Sequence, residues 1–142
     1  MPDNEGSTCF VDSNIWLYAF IEGDDEAKSA KAGALLQEIK PILSTQVVNE
    51  VCDNLLKRNI FTEERLHRLL ESFYEKYAVS ELSKAVLLTA SQLRQHYSLS
   101  FWDSLIIASA LSVGASILYT EDLQHGLIIH ERLQVVNPFI PK

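Results

Sequence analysis

Four acidic residues stand out by position: Asp12 in FVDSN, Glu50 in STQVVNEVCDNL, Asp103 in SFWDSLIIASA and Asp122 in LYTEDLQHG. Two follow short β-prone runs, one falls in the first turn of a helix and one lies mid-helix. Carboxylates gathered in one place raise one another's pKa, so such a cluster stays ionised at neutral pH only if a cation neutralises it. Hard oxygen donors suit magnesium or manganese rather than zinc. The chemistry that uses these ions is phosphoryl transfer, in which the ion polarises the phosphate, lowers the pKa of an attacking water and offsets charge on the leaving oxygen.

Each acid also has a purely structural reading. Asp12, in Asp-Ser-Asn at a strand-to-helix turn, has the chemistry of an N-cap. Asp103 lies three residues after Ser100, the spacing of a capping box. Glu50 shares a helix face with Gln46, Asp53 and Lys57, opposite the valines and leucines, which reads equally as a solvated face or as the wall of a polar groove. Asp122 could cap a helix, and its neighbour Glu121 is a rival ligand.

Residues 8–11 form a β-prone run ending at Asp12, and Ile15, Trp16, Ala19 and Phe20 then repeat as a buried helix face. A second helix spans 27–39 and is closed by Pro41, and 42–43 reads as a brief strand. From 45 to 58, Val47, Val48, Val51, Cys52, Leu55 and Leu56 mark an amphipathic helix capped by Ser44 or Thr45. Thr62 caps the next helix, with Glu63 and Glu64 in its first turn and Leu66, Leu69, Leu70 and Phe73 on its core face. Residues 78–82 read as a strand, 83–97 as a helix, and a further helix starts at Ser100 and stops at Gly114. Strands follow at 116–119 and 134–136. Such alternation predicts an α/β fold with a largely parallel sheet, in which ligands bind beyond the carboxyl ends of the strands. Asp12 and Asp122 would then reach the same edge.

At 142 residues and 47% apolar content the chain fits one domain, 1–142, with a real core. Twelve basic against nineteen acidic residues, a formal charge of −7, argue against nucleic-acid binding through broad attraction, so any such contact must be local. Residues 1–8 are polar and acidic, unlike a secretory signal, and the apolar stretch 105–119 is too short and interrupted to span a bilayer. A soluble, cytoplasmic protein is expected, with Cys9 and Cys52 as buried thiols. Lys57, Arg58, Arg65, His67 and Arg68 read as a solvated basic face before they read as an RNA-facing rim. Trp102 could stack on a base but is expected in the core. His125 and His130 have no partners that complete a zinc set, and Asp24, Asp25 and Glu26 form a solvated loop.

In this order and spacing the four acidic segments resemble the PIN-domain family, most closely the stand-alone bacterial toxins of VapBC-type toxin–antitoxin pairs, over residues 10–137. The resemblance implies a three-layer α/β/α fold around a mostly parallel sheet of about four to five short strands. It implies that Asp12, Glu50, Asp103 and Asp122 are catalytic and hold Mg2+ or Mn2+, with Asp122 or Glu121 as the fourth acid. Thr120 matches a Ser/Thr position two residues before the last aspartate, and Asn14 a polar position near the first. The implied activity is hydrolysis of RNA by an attacking water, and the implied partners are a cognate antitoxin with a basic segment and a second copy of the chain. Tyr18, Phe20, Leu35 and Leu36 are candidates for that pairing surface. The alternative is a catalytically silent module that binds RNA or a basic protein segment. An aspartyl-nucleophile phosphatase is disfavoured because Asn14 stands where its acid aspartate would be.

Overall fold

Cys9, Phe10 and Val11 are wholly shielded from solvent, as the central strand of a parallel sheet must be when both of its faces are covered. In the computed structural model, which describes residues 8–21 and 23–141, they form β1 (Cys9–Val11). Parallel neighbours flank it: β2 (Pro41–Ser44) on one side and β4 (Ile117–Tyr119) on the other. The strand β3 (Ala78–Ser80) lies beyond β2, and β6 (Leu133–Val136) lies beyond β4, both parallel. A two-residue antiparallel strand, β5 (Ile128–Ile129), closes the sheet in the order β3-β2-β1-β4-β6-β5. The sequence reading did not contain this edge strand. Its hairpin turns through His130 and Glu131 at φ 53° and 57°, without the glycine or asparagine that normally marks such a turn.

Among the described residues six helices cover the sheet: α1 (Ser13–Phe20), α2 (Glu26–Glu38), α3 (Thr45–Lys57), α4 (Glu63–Lys76), α5 (Lys84–His96) and α6 (Phe101–Ser112). The helix α1 packs on α2 and α3, α3 on α4, and α5 on α6, giving the outer layers of a three-layer α/β/α fold. Hydroxyl caps start four of them. Ser44, Thr62, Ser83 and Ser100 accept from the N–H groups of Val47, Arg65, Val86 and Asp103 at 3.1–3.3 Å, each cap contributing roughly 1 kcal/mol. The central residues of α6, from Ser104 to Leu111, are all buried, which suits a helix with almost no polar face. It stops where Gly114 takes φ +71°, and the Gly114 and Ala115 N–H groups return to the Leu111 and Ala110 carbonyls at 3.0 Å.

Trp16 fastens α1 to the sheet. Its indole N–H donates to the Val11 carbonyl at 3.1 Å, and its ring meets Phe73 and Tyr77 of the α4 region at 5.2 and 5.0 Å between centroids. The turn between β1 and α1 is therefore gripped on both sides of Asp12. Cys9 and Cys52 are buried and form no disulfide, and burial pushes the Cys9 thiol up to about 11. Among the described residues no helix is long and apolar enough to cross a membrane. Apart from Thr8, the polar start read at 1–8 lies outside the described residues.

Candidate functional site

The chain leaves β1 toward β2 on one side of the sheet and leaves β4 toward β6 on the other, so the strand order reverses between β1 and β4. The crevice at the carboxyl ends of such a pair is where open α/β sheets place their ligands. The register pairs Val11 with Tyr119, and the Asp12 N–H continues the ladder to the Tyr119 carbonyl at 3.0 Å. Asp12 and Thr120 are thereby set side by side at the crevice. The Thr120 hydroxyl donates to Asp12 Oδ2 at 2.9 Å, and Asp12 Oδ1 accepts from the Ser13 N–H at 2.7 Å as the cap of α1. The structural and functional readings of Asp12 thus hold together in one side chain.

Thr120 is a hub. Its oxygen accepts from Asn14 Nδ2 at 3.2 Å and from the Asp122 N–H at 3.1 Å, and Asn14 Nδ2 also donates to Asp122 Oδ2 at 3.0 Å. Burial, with the nearby charges of Glu50 and Asp122, pushes the Asp12 carboxyl up to about 7 against the opposing Ser13 and Thr120 hydrogen bonds. Burial likewise raises Glu50, opposed by hydrogen bonds from Ser13 and Gln46 and reinforced by Asp122 and Asp103. Mutual repulsion therefore ties Asp12 to Glu50 and Asp122, while Asp103 enters through Glu50.

The donors are hard oxygens of the kind a magnesium or manganese ion takes, and Asp12 is a buried carboxylate whose hydrogen-bond partners among the described residues are the neutral Ser13 N–H and Thr120 hydroxyl. Yet among the described residues no three acid, imidazole or thiol groups form a ready-made metal shell. In chemistry the set fits a divalent ion; in geometry the carboxylates are held instead by Thr120, Asn14, Ser13 and Gln46. Asp103, half-buried, donates its backbone N–H to Ser100 and begins the buried helix α6.

The two adjacent acids after β4 diverge. Asp122 is engaged by Asn14, whereas Glu121 pairs with Lys28 at 2.8 Å and accepts from the Tyr18 hydroxyl. Lys28 also lies 5.0 Å from the Tyr18 ring and 5.3 Å from the Phe139 ring, so Glu121 belongs to a separate cluster.

Sequence reasoning did not assign roles to Ser13 and Gln46, although each adjoins a named acid: Ser13 follows Asp12, and Gln46 lies one helical turn before Glu50. The core role expected for Trp102 is overturned, since its side chain is 60% exposed. It precedes the buried stretch of α6 instead of joining it. Lys57, Arg58, His67 and Arg68 pair with Asp53, Asp24, Glu71 and Glu64 on the surface, and Arg65 covers the Phe61 ring, as a solvated face would. His125 and His130 are exposed, and the His125 Nδ1 accepts from the Asn137 N–H. Of the residues suggested for pairing of two chains, Leu35 lies in the core, and Phe20 packs on Trp16 and Phe73.

Residues 9–128 match the family model described as PIN domain. No curated protein matches the chain by sequence. Among solved structures, a toxin–antitoxin complex from Klebsiella pneumoniae superposes with a TM-score of 0.70 at 22% identity, covering 94% of this chain and 98% of that one. The FitAcB structure from Neisseria gonorrhoeae gives 0.69 at 18% identity, covering 93% and 99%. VapC20 of Mycobacterium tuberculosis, described as a sarcin–ricin-loop-cleaving toxin, gives 0.65 at 18% identity, covering 81% and 92%.

Proposed function

The chain belongs to the PIN-domain family, and from that membership we propose that it is a divalent-metal-dependent endoribonuclease whose working carboxylates are Asp12, Glu50, Asp103 and Asp122. The observation that carries the reading is Asp12: 5% exposed, set at the reversal of strand order, with its carboxyl raised to about 7 by burial and by Glu50 and Asp122. A fold keeps so costly a group where a cation is to be bound or a proton moved.

When bound, Mg2+ or Mn2+ polarises the phosphate and makes water a competent attacking group at neutral pH. The chain's own residues prepare that chemistry. The Ser13 N–H and Thr120 hydroxyl fix the two oxygens of Asp12, and Asn14 fixes Asp122. Thr120 already donates to Asp12 and accepts from two neighbours, so it positions and does not attack. Glu50 and Asp103 complete the ligand set from the helical side. With its carboxyl raised to about 7, Asp12 would have to give up a proton to hold a divalent ion, so binding of the ion would be favoured by rising pH.

The proposal extends to partners. The resemblance to toxin–antitoxin structures supports a cognate antitoxin whose basic segment neutralises the carboxylates, and the family resemblance alone suggests pairing of two copies of the chain. The absence of a ready-made metal shell among the described residues favours a second reading, a silent module that binds RNA or a basic segment. Incubating the protein with unpaired and structured RNAs, with manganese or with chelator, separates the two. Cleavage is expected to need the metal and to fall at least roughly 100-fold in Asp12→Asn. Cleavage that persists in the variant or in chelator overturns the proposed chemistry, and RNA binding without cleavage selects the silent module.

A further inference from the structure

Beside Glu50 the polar face of α3 opens onto a cleft of about 730 Å³, within the usual range of ligand pockets. Gln46, Asn49, Asp53, Tyr74 and Trp102 line it together with Glu50, and Asp103 directly follows Trp102, so the cleft is continuous with the carboxylates. Two features of its walls are left unanswered among the described residues. Trp102 and Tyr74 are 60% and 55% exposed, an unusual expenditure of aromatic surface on solvent. Gln46, only 7% exposed, has its Oε1 buried with no hydrogen-bond partner among the described residues.

Among the described residues, the charged ones that line the cleft are all acidic: Glu50, Asp53 and Glu81. A phosphate is therefore repelled from the cleft. Of these three, Asp53 already pairs with Lys57 at 2.8 Å, which leaves Glu50 and Glu81 to attract a cation, but a cation by itself makes no use of the two exposed aromatic faces or of the Gln46 oxygen. What the walls ask for is a flat, neutral group that stacks and carries N–H donors. The aromatic wall is braced for that role. The Gln46 Nε2 donates to the Trp102 carbonyl at 3.4 Å, Phe101 meets the Trp102 ring edge-on at 5.2 Å, and the Arg94 guanidinium lies 4.6 Å from the Phe101 ring.

We infer that this cleft holds an unstacked nucleobase of the RNA strand, with Trp102 as its stacking platform and the Gln46 carbonyl as acceptor for its N–H, beside the phosphate that a cation held by the carboxylates would engage. The inference rests on the ribonuclease reading and gives it a substrate requirement. A base held this way is out of its helix, so the strand entering the site is unpaired.

Two tryptophans make the test direct, since Trp16 is 1% exposed and Trp102 reports the cleft. In the Asp12→Asn variant with magnesium, where cleavage is expected to be at least roughly 100-fold slower, uridine and adenosine hexamers should quench the exposed tryptophan emission, and a blunt RNA duplex should quench it far less. Trp102→Phe should abolish the quench while hexamer binding, followed by anisotropy, persists. With metal, Trp102→Ala should raise KM for unpaired RNA roughly five- to hundredfold, the range expected for loss of one stacked base, with kcat changed much less. Emission unmoved by hexamers, or an unchanged KM in Trp102→Ala, overturns the inference. Quenching by an arginine-rich peptide but not by hexamers also overturns it, assigning the cleft to a protein. Metal-dependent cleavage without quenching removes the cleft and leaves the ribonuclease; quenching without cleavage of any RNA does the reverse.

Discussion

At the β1–β4 corner, Asp12 and Asp122 are tied by Thr120 and Asn14 into a hydrogen-bonded unit whose positions follow from strand register. Across the crevice, Glu50 and Asp103 ride on helices, and Glu50 is steadied by Ser13 and Gln46. Asp12 is buried and costly and Asp122 is exposed, whereas Glu50 and Asp103 are both half-buried, so the two sides differ in what positions their acids and not in openness. The difference teaches that one half of the candidate ligand set is fixed in advance by the sheet. The other half is placed by the helices α3 and α6.

The most severe test of that contrast is Asp12→Asn. Beyond the loss of activity, its effect on stability has a definite sign. The folded-state pKa of about 7 exceeds the ordinary value of 3.8, so the folded protein holds the proton more tightly than the unfolded chain. The resulting stability is fully present below about pH 4 and is lost as pH rises through about 7. At pH 8 without metal, the ionised carboxylate costs up to about 4 kcal/mol. Thermal melts in chelator should therefore show Asp12→Asn more stable than the parent at pH 8 and no more stable at pH 4, with magnesium narrowing the gap. Parallel pH dependences in the two proteins would mean that the burial of Asp12 carries no such cost.

Thr120→Val attacks the hub and spares the carboxylates. Activity should drop by roughly 10- to 100-fold, as for other groups that orient metal ligands. Stability should fall by about 1–3 kcal/mol, because Asp12 Oδ2 loses its buried donor. The pH at which activity appears should move upward, since the Thr120 hydroxyl holds the Asp12 pKa down. Glu50→Gln should shift the melting midpoint far less than Thr120→Val; equal shifts would erase the distinction between corner and helix.

The smallest effect is expected at Glu121→Gln. Its pair with Lys28 is partly exposed, so stability should change by less than about 1 kcal/mol and RNA cleavage should stay close to the parent. Asp122→Asn, one residue away, should lose activity. The opposite ranking would make Glu121 the fourth carboxylate.

Local rules made much of the fold readable. The hydroxyls of Ser44, Thr62, Ser83 and Ser100, and the glycine at 114, act on residues within one turn of themselves, so helix boundaries could be read from short windows. The apolar run ending at Asp12 marked a buried strand for the same reason. The edge strand β5 was not legible because two residues carry no period and its partner is fixed only by pairing. The separate fates of Glu121 and Asp122 were hidden too. Lys28 and Asn14 lie 93 and 108 residues from them, and nothing in LYTEDLQHG tells which acid meets which. Trp102 was misread because an aromatic before an apolar helix looks the same whether it begins the core or faces a cleft.

The contact between Asp12 and Thr120 joins residues 108 apart. A growing polypeptide that has reached only α6 possesses Asp12, Glu50 and Asp103 but has neither β4 to seat Asp12 nor the hydroxyl that orients it. The crevice comes into being only when nearly all of the chain has been made and the two innermost strands have paired, a closure that long loops make slow. Products of interrupted synthesis that stop before Thr120 would carry three of the four carboxylates and no working arrangement of them.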